Sequence, residues 1–119
     1  MTDDVPISVK FTDEFEEKTY RLSKKYRSIR KDLGPIIAQL EGKVILGDRL
    51  AGFGSNLYVY KVRVKNSDIQ KGKSAGYRII YLLESERSIL LLTIYSKSEQ
   101  EDIAVDQIQS ILDDFYDSE

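Results

Sequence analysis

Residues 57–97 read LYVYKVRVK (57–65), NSDIQKGKSAG (66–76), YRIIYLLE (77–84), SER (85–87) and SILLLTIYSK (88–97). Three runs rich in β-branched and aromatic residues, joined by polar connections, predict three consecutive strands in an antiparallel meander. In the first run Tyr58, Tyr60, Val62 and Val64 fall on one face, and Val59, Lys61, Arg63 and Lys65 on the other. Alternate residues on a strand stand about 7 Å apart, so this second face carries three neighbouring cations. Like charges at that spacing repel, and packing alone gives no reason to choose them. In the next run Arg78, Ile80, Leu82 and Glu84 share a face, and in the third Tyr95 and Lys97 do. Residues 57–78 hold six basic side chains (Lys61, Arg63, Lys65, Lys71, Lys73 and Arg78) against the single acid Asp68.

Outward from the meander, the alternation of Val5, Ile7, Val9 and Phe11 predicts a first strand, placed at a sheet edge by Pro6. Thr12 or Asp13 caps the following helix, and Asp13 with Glu16 has the spacing of a capping box. Phe15, Leu22, Tyr26, Ile29 and Leu33 form its apolar stripe. Gly34-Pro35 is the expected break, followed by a second helix that ends at Gly42, so residues 13–42 read as a helical hairpin. Residues 43–56 read as a loop with three glycines. Ser98, with Glu101 three residues on, is the expected cap of a last helix whose apolar side is Ala104, Ile108, Ile111 or Leu112, and Phe115. The whole of residues 1–119 is thus expected to be one α+β domain: an N-terminal strand and helical hairpin packed on an antiparallel meander, with a C-terminal helix.

Composition narrows the chemistry. Hydrophobic residues at 41% and charged residues at 32% describe a globular domain. No apolar run approaches the ~20 residues of a membrane span, and no signal peptide is visible, so a cytoplasmic protein is expected. The chain has no cysteine and no histidine. It therefore offers no disulfide or thiolate site, and proton transfer falls to Lys, Arg, Tyr or carboxylates. There is neither a GxGxxG nor a GK[ST] phosphate loop, and no metal or cofactor is expected. The net charge of −2 conceals segregated blocks: seven bases and no acid from Lys18 to Lys31, eight acids and no base from Ser98 to Glu119. Separated blocks suggest distinct contact surfaces, the acidic one for a protein partner; a solvated helix end is the plainer alternative.

A face bringing together Lys61, Arg63, Arg78 and Tyr95, with Lys65, Lys71, Lys73 and Lys97 around it, suits a polyanion. Arg forks a phosphate through two hydrogen bonds, and Lys acts as a point charge. Crowded cations disfavour one another, which would make a lysine available as a base. RNA needs little more for cleavage. Its 2′-hydroxyl attacks the adjacent phosphate once it is deprotonated, aligned and matched by cations that stabilise the developing charge. A tyrosine is a poor base at its usual pKa of about 10, but adjacent cations should favour the Tyr95 phenolate. Tyr58, Tyr60 and Tyr77 are expected to be packing residues.

The fragments YKVRVK, KGKSAGYRIIY and LLTIYSKSEQEDI resemble the RelE/ParE superfamily of bacterial toxins, especially the HigB-like branch of RelE, over residues 57–105. The resemblance implies a RelE-like fold and the toxin half of a type II toxin–antitoxin pair. Its activity would be ribosome-dependent mRNA endonuclease action, by 2′-hydroxyl attack without a metal, inhibiting translation. The implied partners are a cognate antitoxin, the ribosome and mRNA, with no membrane. Lys61 and Arg63 match the family's paired basic positions, and Arg78, in GYR, its arginine on the next strand. Some RelE members carry an arginine and a tyrosine around the last helix, where this chain has Ser98 and Ala104; Tyr95, Lys97 and Lys73 are the substitutes. The resemblance also allows a ParE-like inhibitor of DNA gyrase, or a non-catalytic module that binds RNA or a partner.

Overall fold

The computed structural model describes residues 6–69 and 75–117. The three strands of the meander are present as β3 (Val59–Val64), β4 (Tyr77–Ser85) and β5 (Ser88–Ser96). They lie antiparallel, with Arg63 opposite Arg78 and Arg78 opposite Tyr95. The first strand, β1 (Ser8–Phe11), pairs in parallel with β5 at one edge, as Pro6 suggested. The segment read as a loop contains a two-residue strand, β2 (Asp48–Arg49), which pairs with β3 at the other edge. Gly47, at φ +82°, permits this pairing, because a Cβ there would stand 2.2 Å from the Lys61 carbonyl oxygen. Among the described residues the sheet has five strands in the order β1-β5-β4-β3-β2.

Two cores form on its two faces. On one, Tyr77, Ile79, Tyr81, Val62 and Val64 meet Phe15, Leu22, Tyr26, Ile29, Leu33 and Leu40 from the helical hairpin. On the other, Val59, Ile80, Leu82, Leu90 and Leu92 meet Ile108 and Leu112 of the last helix. The alternation of β3 and β4 thus separates the two cores. Among the described residues no helix is long and apolar enough to cross a membrane.

The hairpin differs from expectation at its corner. Its helices are α1 (Asp13–Lys25) and α2 (Ile29–Glu41), so the break lies at Tyr26–Ser28 and Gly34-Pro35 falls inside α2. A partner distant in sequence explains the shift. The Ser28 N–H donates to Asp68 Oδ2 at 2.8 Å, and the Ser67 N–H donates to Asp32 Oδ2 at 2.9 Å, fastening the corner to the segment after β3. Pro35 removes one helical bond but lies on the exposed side, where bending is tolerated. Thr12 caps α1, accepting from the Phe15 N–H at 2.9 Å, so the Asp13–Glu16 capping box is not the one used.

The last helix, α3 (Val105–Asp117), starts seven residues later than Ser98. The Glu99 and Gln100 N–H groups bond to the Ser96 carbonyl as a turn, and Lys97 Nζ donates to the Glu101 carbonyl at 2.8 Å. These bonds hold residues 97–104 as a connection, and α3 packs on the end of its sheet face formed by Val59, Ile80, Leu82, Leu90 and Leu92.

Candidate RNA-binding and proton-transfer site

The end of that face beyond α3 carries the predicted basic side chains. On β3 the series runs Val59, Lys61, Arg63, and on β4 Leu82, Ile80, Arg78, passing in both from the apolar core to charge. On β5 the corresponding series would fail without an irregularity. Ile80 pairs with Thr93 but Tyr81 pairs with Leu91, leaving Leu92 as an extra residue in a β-bulge. Before the bulge the odd residues Ile89 and Leu91 enter the hairpin-side core; after it the even residue Ile94 does. The alternation has changed phase, and Tyr95 joins the face of Arg78. A row Arg63–Arg78–Tyr95 therefore crosses three strands, with Lys61 one step closer to α3.

The bulge has a specific support. Thr12 Oγ1 donates to the Leu92 carbonyl at 2.7 Å while accepting the Phe15 N–H, and the Thr12 N–H bonds to the Leu91 carbonyl at 3.1 Å. One buried hydroxyl satisfies both the helix start and the bulged backbone, as buried polar groups require.

Arg78 and Tyr95 are buried, 6% and 5% exposed, whereas Arg63 is exposed and Lys61 half-buried. The Arg78 guanidinium donates to the Tyr77 carbonyl at 3.2 Å. Above the row stands a residue that the sequence reading did not single out. Asp102, in the connection before α3, lies 3.3 Å from Lys61 Nζ and accepts a hydrogen bond from the Tyr95 hydroxyl at 3.4 Å. The Ile103 N–H donates to the same oxygen at 2.8 Å. That N–H bond, with the Lys61 ammonium and the Tyr95 hydroxyl, holds the Asp102 carboxyl below its usual 3.8 despite partial desolvation. Nothing in its spacing singles Asp102 out among the acids from Ser98 onward; its chain separation from Lys61 hides the pairing.

The expected phenolate of Tyr95 is not supported. Burial first, and then the Asp102 carboxylate, push its pKa up to about 12, against a smaller opposing effect of Arg78. The Tyr95 phenol is held in its protonated form here, because the cation beside it is outweighed by burial and an anion. The charge blocks are also less separate than the sequence suggested, since Lys25 Nζ reaches Glu99 at 3.4 Å and Lys61 reaches Asp102.

Of the surrounding lysines, Lys65 is exposed just past β3, and Lys97 is half-buried beside the row, its N–H on the Gly76 carbonyl at 2.9 Å. Lys71 and Lys73 lie outside the described residues. Ser98 and Ala104 flank Asp102, with Ser98 near the hydroxyls of Ser96 and Tyr26. Tyr77 and Tyr60 are packing residues as expected, Tyr77 edge-on to Tyr26 and Tyr60 stacked on Tyr81 at 5.4 Å. Tyr58 is instead 43% exposed, with the Arg49 guanidinium 4.2 Å over its ring.

No family model matches the sequence. Among solved structures, the chain is similar to a free-state double arginine-to-alanine mutant of the Escherichia coli toxin RelE. The TM-score is 0.51 at 17% identity, over 88% of this chain and 92% of that one. The sheet, the helical hairpin and the C-terminal helix described above accordingly make a RelE-like fold.

Proposed function

We propose that this chain is the toxin of a type II toxin–antitoxin pair, of the HigB-like branch of RelE, and cleaves mRNA on the ribosome. The observation that carries this reading is the Arg63–Arg78–Tyr95 row with Lys61 beside it, at the end of the sheet face beyond α3. The exposed Arg63 guanidinium can grip the scissile phosphate, and the buried Arg78 guanidinium beside it adds fixed positive potential where charge grows on that phosphate. The 2′-oxygen displaces the 5′-oxygen, leaving a 2′,3′-cyclic phosphate and a 5′-hydroxyl end. Tyr95, protonated at neutral pH, suits delivery of a proton to the departing oxygen. A cognate antitoxin would restrain this activity in the cytoplasm.

The test is induction in growing bacteria, with mapping of mRNA ends and measurement of protein and DNA synthesis. Wild type should halt translation and create new mRNA ends. Arg63→Ala, a change at an exposed position, should lower cleavage about 100- to 1000-fold, as expected when a preorganised transition-state donor is lost. Arrested DNA synthesis with unchanged mRNA ends would establish the gyrase reading instead. Full cleavage by Arg63→Ala and Arg78→Lys would refute the site.

A further inference from the structure

In the ribonuclease reading the arginines serve the phosphate and Tyr95 the departing oxygen, which leaves the base for the 2′-hydroxyl unassigned. Ser98 and Ala104, towards the two ends of the connection before α3, carry no group that can move a proton at neutral pH. Between those two positions the connection presents Asp102, and its carboxylate joins the two proton-bearing groups of the row. Lys61 reaches it from β3 at 3.3 Å, and Tyr95 from β5 at 3.4 Å. The side chain is nonetheless 66% exposed. Among the described residues its bonds fall on Oδ1, so Oδ2 is open to a substrate hydroxyl.

The connection is built to keep the carboxylate there. The Ile103 N–H grips Oδ1 at 2.8 Å, Gln100 Nε2 donates to the Asp102 carbonyl at 3.0 Å, and Lys97 Nζ holds the adjoining Glu101 carbonyl. Among the described residues, the charged and titratable groups facing Asp102 are Lys61 from β3, and Tyr95 from β5 with Arg78 of β4 beside it. Lys97 lies in the same connection.

Resting on the ribonuclease reading, we propose that Asp102 and Tyr95 are the catalytic proton-transfer pair, the carboxylate accepting the 2′-hydroxyl proton and the phenol protonating the departing 5′-oxygen. The 2′-hydroxyl proton passes to Oδ2, and the electron pair left on the 2′-oxygen forms the new bond to phosphorus. The bond from phosphorus to the 5′-oxygen breaks, and that oxygen takes the Tyr95 proton. The protonated Asp102 then gives its Oδ2 proton to water, and the Tyr95 phenolate takes one back from water. No net proton is gained or lost, and Lys61 neutralises charge on the pair throughout. Both groups are in the required state at neutral pH, since Asp102 is held below 3.8 and Tyr95 up at about 12.

The experiment is single-turnover cleavage of a defined mRNA on purified ribosomes, at several pH values, by wild type, Asp102→Asn and Arg63→Ala. With base and acid both correctly charged, the wild-type rate should stay flat from about pH 6 to about pH 9. A lysine or phenolate base would raise it roughly tenfold per pH unit over that range. Asp102→Asn should cleave at least about 100-fold more slowly, with a thermal midpoint within about 4 °C of wild type, because the ion pair lost is an exposed one and asparagine keeps the Oδ1 acceptor. An Asp102→Asn rate equal to or above wild type would overturn the proposal, the faster case making Asp102 a plug that RNA displaces. A slow Asp102→Asn with a wild-type rate that climbs with pH would overturn it too, since the carboxylate would then only position Lys61 and Tyr95. Loss in Arg63→Ala without loss in Asp102→Asn leaves the ribonuclease reading standing and removes this inference alone. A wild type that cuts nothing removes both.

Discussion

Replacing Thr12 by Val should destabilise the domain by about 2 to 3 kcal/mol, a large effect for the removal of one oxygen atom. The exchange keeps volume and branching but deletes Oγ1, which makes two buried bonds in this position. Loss of the N-cap bond to the Phe15 N–H costs about 1 kcal/mol. Leaving the carbonyl of the bulged Leu92 without its 2.7 Å partner costs about 1 to 2 kcal/mol more. For a chain of 119 residues each kcal/mol corresponds to roughly 4 °C, so the thermal midpoint should fall by about 8 to 12 °C. Calorimetry of wild type, Thr12→Val and Thr12→Ser measures this directly, and Ser, which keeps the oxygen, should lose much less. The bulge also sets the phase of Tyr95, so amide and ring chemical shifts around Tyr95 should move in Thr12→Val and stay put in Thr12→Ser. A Thr12→Val midpoint within about 2 °C of wild type would refute the reasoning, because the hydroxyl would then be satisfying neither group at measurable cost.

Two further outcomes follow from other parts of the fold. Gly76→Ala should lower stability by about 1 to 3 kcal/mol, because a Cβ there would stand 2.1 Å from the Val64 carbonyl oxygen and force β3 and β4 apart; a urea midpoint equal to wild type would contradict this. Burial pushes the Glu84 carboxyl up, but hydrogen bonds from Ser88 and Tyr116 and the Lys10 ammonium outweigh it and hold its pKa below the usual 4.5. A depressed carboxylate contributes stability above its unfolded pKa and loses it as pH falls through the folded value. Glu84→Gln should therefore flatten the decline in stability below about pH 4.5, and parallel stability–pH curves for the two proteins would exclude the effect.

Much of the fold could be read directly from the chain. Strands β3 and β4 alternate without interruption, so their two faces, and the side on which Lys61, Arg63 and Arg78 stand, follow from a period of two. The apolar stripe from Phe15 to Leu33 survives the misplaced corner because all of those residues still reach one core. Local patterns were less informative where a partner distant in sequence decides. Asp68 relocates the hairpin corner, and the Asp13–Glu16 and Ser98–Glu101 spacings mimic capping boxes that Thr12 and the 97–104 connection pre-empt.

Sequence alone therefore determined the α+β order of elements apart from the short β2, the meander, and a basic face of Lys61, Arg63 and Arg78, because periodic side-chain direction is a local property of the backbone. The tertiary structure supplied the reason that Tyr95 belongs to that face, as the sequence reading supposed, and it alone showed that Asp102 stands over it. A bulge held by a hydroxyl 80 residues away reverses the alternation of β5, and an ion pair between residues 41 apart completes the cluster. Composition and periodicity carry no trace of either, since both depend on which distant groups the folded chain brings within a hydrogen bond of one another.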